Sequence, residues 1–88
     1  MIAVSVYCKL ESRTVSVHLF DQKEDALSFL IKDAEEYYES LCREEKSKKR
    51  IVKEIVSEWG HATVGKWGTM EKTYTWDLCR VDGIVPAC

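Results

Sequence analysis

The chain has 88 residues, 45% of them hydrophobic and 32% charged, with a formal net charge of −2. A chain this short is expected to form one domain over residues 1–88 with a thin core, burying about 60–65% of its unfolded surface, and its apolar share is that of ordinary globular proteins rather than disordered ones. The slight acidity argues against a surface given over wholly to nucleic acid, which needs clustered Lys and Arg to neutralise phosphate. The start Met1-Ile2-Ala3-Val4-Ser5-Val6 lacks a basic segment, and Lys9, Glu11 and Arg13 come too soon for the apolar stretch of a signal peptide. No run approaches the ~20 apolar residues of a membrane span. The expectation is a cytoplasmic protein whose cysteines, Cys8, Cys42, Cys79 and Cys88, stay reduced.

In chain order, residues 2–10 alternate, with Ile2, Val4, Val6, Cys8 and Leu10 on one face and Ala3, Ser5, Tyr7 and Lys9 on the other, which predicts a half-buried strand. A polar connection at residues 11–13 leads to a second alternating run, 14–20. Its Val15, Val17 and Leu19 are expected inward, and Ser16 and His18 outward. The two runs read as an antiparallel hairpin. Asp21 with Glu24 three residues on resembles a capping box. The helix behind it carries Leu27, Leu30, Ile31, Ala34, Tyr38, Leu41 and Cys42 on one stripe at 3–4 spacing. After a polar stretch at residues 43–50, Val52, Ile55, Val56 and Trp59 resume helical spacing, and Gly60 reads as a stop. Either two helices pack together with a turn near 46–49, or one helix runs from 22 to 59. The continuous form would be ~57 Å long at ~1.5 Å per residue, so its far half would need a second copy of the chain to cover it.

The last third is β-like. Residues 62–67 form one candidate strand, and the Thr-, Tyr-, Trp- and Val-rich residues 73–81 a second. Asp82-Gly83 reads as a hairpin turn before a short edge strand at 84–85. The expected fold class is α+β, in the order β-β-α(α)-β-β: an antiparallel sheet, built from the N-terminal hairpin and the C-terminal strands, packed on one long or two shorter helices. One sheet face is expected to be buried against the helical stripe and the other to be largely solvated.

No catalytic, metal or cofactor signature accompanies this pattern. Structural zinc calls for close pairs such as C-x₂₋₄-C, and Cys8, Cys42, Cys79, Cys88, His18 and His61 offer none. Cys79 and His61 would have to meet in space to act as a thiolate pair, without a supporting motif. The carboxylates Glu35, Glu36, Glu39, Glu44 and Glu45 read as a solvated helix face. Gly60, Gly65 and Gly68 lack the Lys-Ser/Thr and the helix that a phosphate loop requires. No cofactor and no small-molecule substrate are expected.

Two surface features remain. Lys46, Lys48, Lys49, Arg50 and Lys53 form a basic cluster free of acids, able to contact phosphate, although it also balances the acidic segment before it. The tyrosines and tryptophans exceed what one thin core needs. Trp59 and Trp76 are assigned to the core, whereas Tyr7, Tyr37 and Trp67 are candidate partner-binding anchors, with Glu36 and Glu39 on the acidic flank of the docking surface.

The leading hairpin (residues 2–20), the helix opening Phe20-Asp21-Gln22-Lys23-Glu24-Asp25-Ala26-Leu27 and the closing aromatic β segment (residues 73–81) resemble small accessory proteins of bacterial phages and mobile elements, of anti-CRISPR type. The likeness spans most of the chain in size and element order and assigns no site residue. It implies a protein without chemistry of its own that inhibits a larger, nucleic-acid-binding bacterial complex by occluding its surface. The expected function is therefore non-enzymatic protein binding, with a nucleic-acid-binding accessory domain using residues 46–53 as the alternative.

Overall fold

The computed structural model describes residues 1–44, 51–82 and 85–86, and the side chains of residues 1–44 and 51–80. Its elements are β1 (Ile2–Cys8), β2 (Arg13–Phe20), α1 (Lys23–Glu44), β3 (Ile51–Val56), β4 (His61–Lys66), β5 (Tyr74–Asp82) and β6 (Val85–Pro86). The main sheet has the order β2-β1-β5-β4-β3 with every neighbour antiparallel, and the two-residue β6 pairs with the end of β5. The fold is α+β, with strands before and after a single helix.

The helix opens one residue later than a cap at Asp21 would place it. Gln22 stands at the N-cap, its carbonyl accepting from Ala26 N–H at 3.2 Å, and Glu24 and Asp25 favour the positive end of the helix dipole. Ala26, Leu30, Ala34 and Leu41 are its buried residues, and they sit on one stripe because positions three and four apart share a face. This stripe packs on Val4 and Val6 of β1, Ala62 and Val64 of β4 and Trp76 of β5. The Trp76 indole N–H donates to Asp33 Oδ2 at 2.8 Å, so a buried polar atom is satisfied from the helix.

Three expectations are corrected. Residues 51–56 form strand β3, not a second helix or the continuation of α1. Ile51, Val52, Ile55 and Val56 are β-branched, which disfavours helix and suits a pleated surface, and β4 supplies the partner, with Val52 opposite Gly65 and Ile55 opposite Ala62. A dimer through one long helix loses its basis with that helix. The facing of β2 is also inverted. Val4 pairs with His18 and Val6 with Ser16, so Ser16, His18 and Phe20 look toward the helix, where the rings of His18 and Phe20 lie 4.4 and 5.3 Å from Phe29. Val17 and Leu19 point the other way, and Val15 is an unpaired residue at a bulge between Thr14 and Ser16. Trp59 is not a core anchor either. It is 78% exposed, in the turn at residues 57–60.

Gly60 ends that turn rather than a helix. Its φ is +63°, its carbonyl accepts from Leu78 N–H at 2.7 Å, and a Cβ there would lie 2.5 Å from Leu78 Cβ. The close approach of this turn to β5 thus depends on a residue without a side chain.

Two changes test these fastenings in urea unfolding. Asp33→Ala strands the Trp76 N–H and should cost about 1–3 kcal/mol, while Asp33→Asn, which keeps an acceptor, should lose less. Gly60→Ala meets both a left-handed backbone and the Leu78 side chain, and a loss of about 2–3 kcal/mol is expected.

Candidate protein-interaction face

With α1 on one side of the sheet, no described helix or strand lies on the other side, although Ala3, Thr75 and Cys79 at its centre are only 2%, 6% and 5% exposed. Register places its side chains in rows across the strands. One row runs Val17, Ser5, Asp77, His61, Val56; a second runs Thr14, Tyr7, Thr75, Thr63, Glu54; a third runs Leu19, Ala3, Cys79. Small residues in the middle strands (Ala3, Ser5, Thr75) and larger ones on β2 leave a shallow basin of about 700 Å³, lined also by Tyr7, Lys9, Val17, Leu19, His61 and Asp77. Its β2 rim is apolar and open to solvent, with Val17 56% and Leu19 58% exposed.

The polar centre of the basin is ordered. His61 Nδ1 lies 2.6 Å from Asp77 Oδ1, and Nε2 lies 3.1 Å from Thr63 Oγ1. An ionised carboxylate only accepts, so Nδ1 carries a proton and donates to Asp77; in the neutral ring Nε2 then accepts from the Thr63 hydroxyl. The imidazole is therefore held by Asp77 and not directed to a thiol. Cys79 is disulfide-bonded, contrary to the expectation of reduced thiols throughout, while Cys8 and Cys42 are free. Among the described residues no three His, Cys, Asp or Glu side chains cluster in a way that holds a metal ion, and no helix is long and apolar enough to cross a membrane.

The expected anchors are distributed over different parts of the molecule. Tyr7 is on the bare sheet face, in the basin. Tyr37 belongs to the other layer, at the helix–sheet junction. Its ring stands edge-on to Tyr74 at 5.1 Å and lies 5.9 Å from Trp76, and Glu36 lines the same cleft. Glu39 lines a shallow groove on the outer helix surface with Glu35 and Glu36. Trp67, 70% exposed, begins the loop that follows β4. Tyr7 and the pair Glu36/Glu39 thus lie on opposite sides of the molecule, and one flat partner surface can touch only one of these sets. Of the basic cluster, Lys46, Lys48, Lys49 and Arg50 lie outside the described residues, and Lys53 Nζ sits 4.6 Å above the Tyr38 ring, on the helix side of β3. Sequence reasoning did not find the exposed β2 rim or the His61–Asp77 pair, since both are defined by cross-strand register.

Tyr37 also ties down the loop before β5. Its hydroxyl donates to Lys72 O at 2.6 Å, beside an ion pair of 3.5 Å between Lys72 Nζ and Glu44. Lys72 itself has a φ of 58°, a conformation that a branched or long side chain adopts at a cost. Burial, reinforced by Tyr74, Glu44 and Cys8, pushes the Tyr37 phenol up to about 12.

Because the folded value lies above the ordinary tyrosine value of about 10, the neutral phenol stabilises the fold fully below about pH 10, and that contribution is lost as pH rises toward 12. Urea unfolding across this window should show a steeper alkaline loss in the native chain than in Tyr37→Phe; parallel pH curves would show that the phenol has no such role. No protein-family model matches the chain, and comparison with curated proteins and with solved structures finds no significant match.

Proposed function

We propose that the chain is a non-enzymatic protein-binding module that acts by covering part of a larger partner with the bare face of its sheet. The observation that carries this reading is the asymmetry of the sheet: one face is sealed by α1, and the other presents a basin with a solvent-exposed apolar rim. Exposed apolar surface edged by polar groups is what protein partners bury. Tyr7 in the basin, with Val17 and Leu19 on the rim, supplies the aromatic and aliphatic anchors. The outer face of α1, with Glu35, Glu36 and Glu39, is turned away from that contact. It serves to steer the approach toward a basic partner rather than to touch it. Inhibition by occlusion, as in the phage accessory proteins that the chain resembles in size and element order, is the mode of action that fits a binder of this size.

Binding to a nucleic-acid partner through residues 46–53 is the competing reading, and the position of Lys53 against Tyr38 does not favour it. The two separate in one experiment. The tagged chain is passed over bacterial lysate with and without nuclease, and the eluates are compared with those of Tyr7→Ala/Leu19→Ser and of Lys48→Gln/Lys49→Gln/Arg50→Gln. A protein retained in fixed stoichiometry after nuclease, lost by roughly tenfold or more in the first variant and kept in the second, is the expected outcome. Retention that vanishes with nuclease or with the triple change would move the function to the basic cluster.

A further inference from the structure

Of the chain's four cysteines, Cys8 and Cys42 are free and Cys79 is disulfide-bonded. Cys88 lies outside the described residues. Cys79 stands near the end of β5 opposite Ala3, on the face turned away from α1. Just beyond it β5 pairs with β6, Val81 opposite Pro86 and Asp82 opposite Val85. Antiparallel partners separate by one residue on each strand at every step. The register of β5 and β6, carried on, therefore sets Arg80 opposite Ala87 and Cys79 opposite Cys88. Residues that face each other across two strands share a side of the sheet, so in this register Cys88 falls on the same side as Cys79.

The kind of pair follows from Pro86. It has no N–H, so Val81 and Pro86 are opposite each other without a backbone hydrogen bond. Hydrogen-bonded and non-hydrogen-bonded pairs alternate along an antiparallel ladder, which makes Cys79 and Cys88 a non-hydrogen-bonded pair as well. Leu78 gives the same parity independently. Its N–H donates to Gly60 O on the β4 side, so Arg80 and Asp82 turn their backbone groups to that edge and Cys79 does not. β1 takes the opposite edge of β5 as far as Arg80, which faces Ile2, and the β4 side is left for residues 87 and 88. In a non-hydrogen-bonded pair the Cα atoms come to ~4.5 Å, within the ~4.4–6.8 Å that a disulfide spans.

We infer that the disulfide partner of Cys79 is Cys88, and that this bond clasps the β5–β6 hairpin on the face opposite α1. The link extends the row Leu19, Ala3, Cys79 by one position and ties the residues after Pro86 to the sheet. It forms by exchange with a disulfide oxidant such as oxidised glutathione. One cysteine thiolate attacks the glutathione disulfide and displaces one glutathione; the other then attacks the mixed disulfide and displaces the second. The two cysteines lose two electrons, and their protons end on the two glutathione thiols. Excess reduced glutathione runs the same steps backward. The bond does not depend on the protein-binding reading: loss of a partner leaves the link intact, and loss of the link leaves Tyr7, Val17 and Leu19 in place to be tested.

Arg80 lies between the two cysteines and Lys72 precedes both, so trypsin separates them onto different peptides. The full chain is equilibrated with oxidised glutathione, blocked with iodoacetamide, and digested without reduction for mass spectrometry. The expected product is residues 73–80 joined to residues 81–88, from a chain of monomer mass, with Cys8 and Cys42 carrying the blocking group. Cys8→Ser/Cys42→Ser should leave the joined peptide unchanged. Ala87→Cys/Cys88→Ser moves the thiol to the other side of the strand, and its closure constant against glutathione should fall by roughly tenfold or more, with the circular dichroism unchanged. Cys79 recovered as a blocked thiol, or joined to Cys8, to Cys42 or to a second copy, overturns the inference. So does equal closure from positions 87 and 88, which would mean a thiol on a loose tail rather than one held in register.

Discussion

A five-stranded sheet has two faces to satisfy, and the described chain has one helix to cover them. That constraint shapes the rest of the molecule. α1 lies across the sheet from β2, where Phe29 meets His18 and Phe20, to β3, where Tyr38 meets Lys53. Along that path it buries Leu30, Ala34 and Leu41 against β1, β4 and β5. Trp76 fixes the arrangement near its middle. The indole is 2% exposed and supplies more apolar surface than any neighbour, and its single polar atom is claimed by Asp33. Everything apolar on the opposite face is left for something other than this helix to cover.

The features of the bare face follow from strand geometry. Because side chains alternate, each residue buried under α1 sends its neighbour to the other side. β1 and β5 answer this with small or polar neighbours: Ala3 and Ser5, Thr75 and Asp77. β2 answers with Val17 and Leu19. The basin and its rim are thus two halves of one surface: at the centre Ala3, Thr75 and Cys79 are buried, and at the rim Val17 and Leu19 are open to solvent. His61 and Asp77 reinforce the polar half by satisfying each other across β4 and β5.

How much of this was legible in the sequence depends on whether the deciding contact is local. The hairpin of β1 and β2, the helical character of the stretch behind Gln22 and the strand character of β5 were readable, because alternation, 3–4 spacing and β-rich composition are written within a few residues; where α1 ends was not. Residues 51–59 were not. Val52, Ile55, Val56 and Trp59 satisfy a helical spacing, while Ile51, Val52, Ile55 and Val56, the β-branched residues that flank Lys53 and Glu54, equally suit a strand. The choice falls to β4, which is available as a partner only in the folded chain. The two faces of β2 could be told apart by alternation, but not which of them meets the core. His18 and Phe20 take that side because Phe29 waits there. Tyr7 was correctly placed outward, since its strand has one plainly apolar face. The His61–Asp77 pair, sixteen residues apart, and the exposed valines of β2 depend on register, and no short window of sequence contains that.

β5 lies between β1 and β4, yet it is made after both. Its pairing with β1 joins Ile2 to Arg80 and Cys8 to Tyr74, contacts among the most distant that the chain can form. On the ribosome, β1 and β2 therefore emerge as a two-stranded ribbon with no third strand to support it, and an isolated hairpin is marginal in water. The helix follows without the Trp76 it packs on. Folding has to wait for residues 74–80, and a topology so dominated by distant pairing is slow to find. During that interval the valines of β2 and the stripe of α1 are open to any apolar surface nearby, so the nascent chain depends on being finished quickly or on being shielded while it is made.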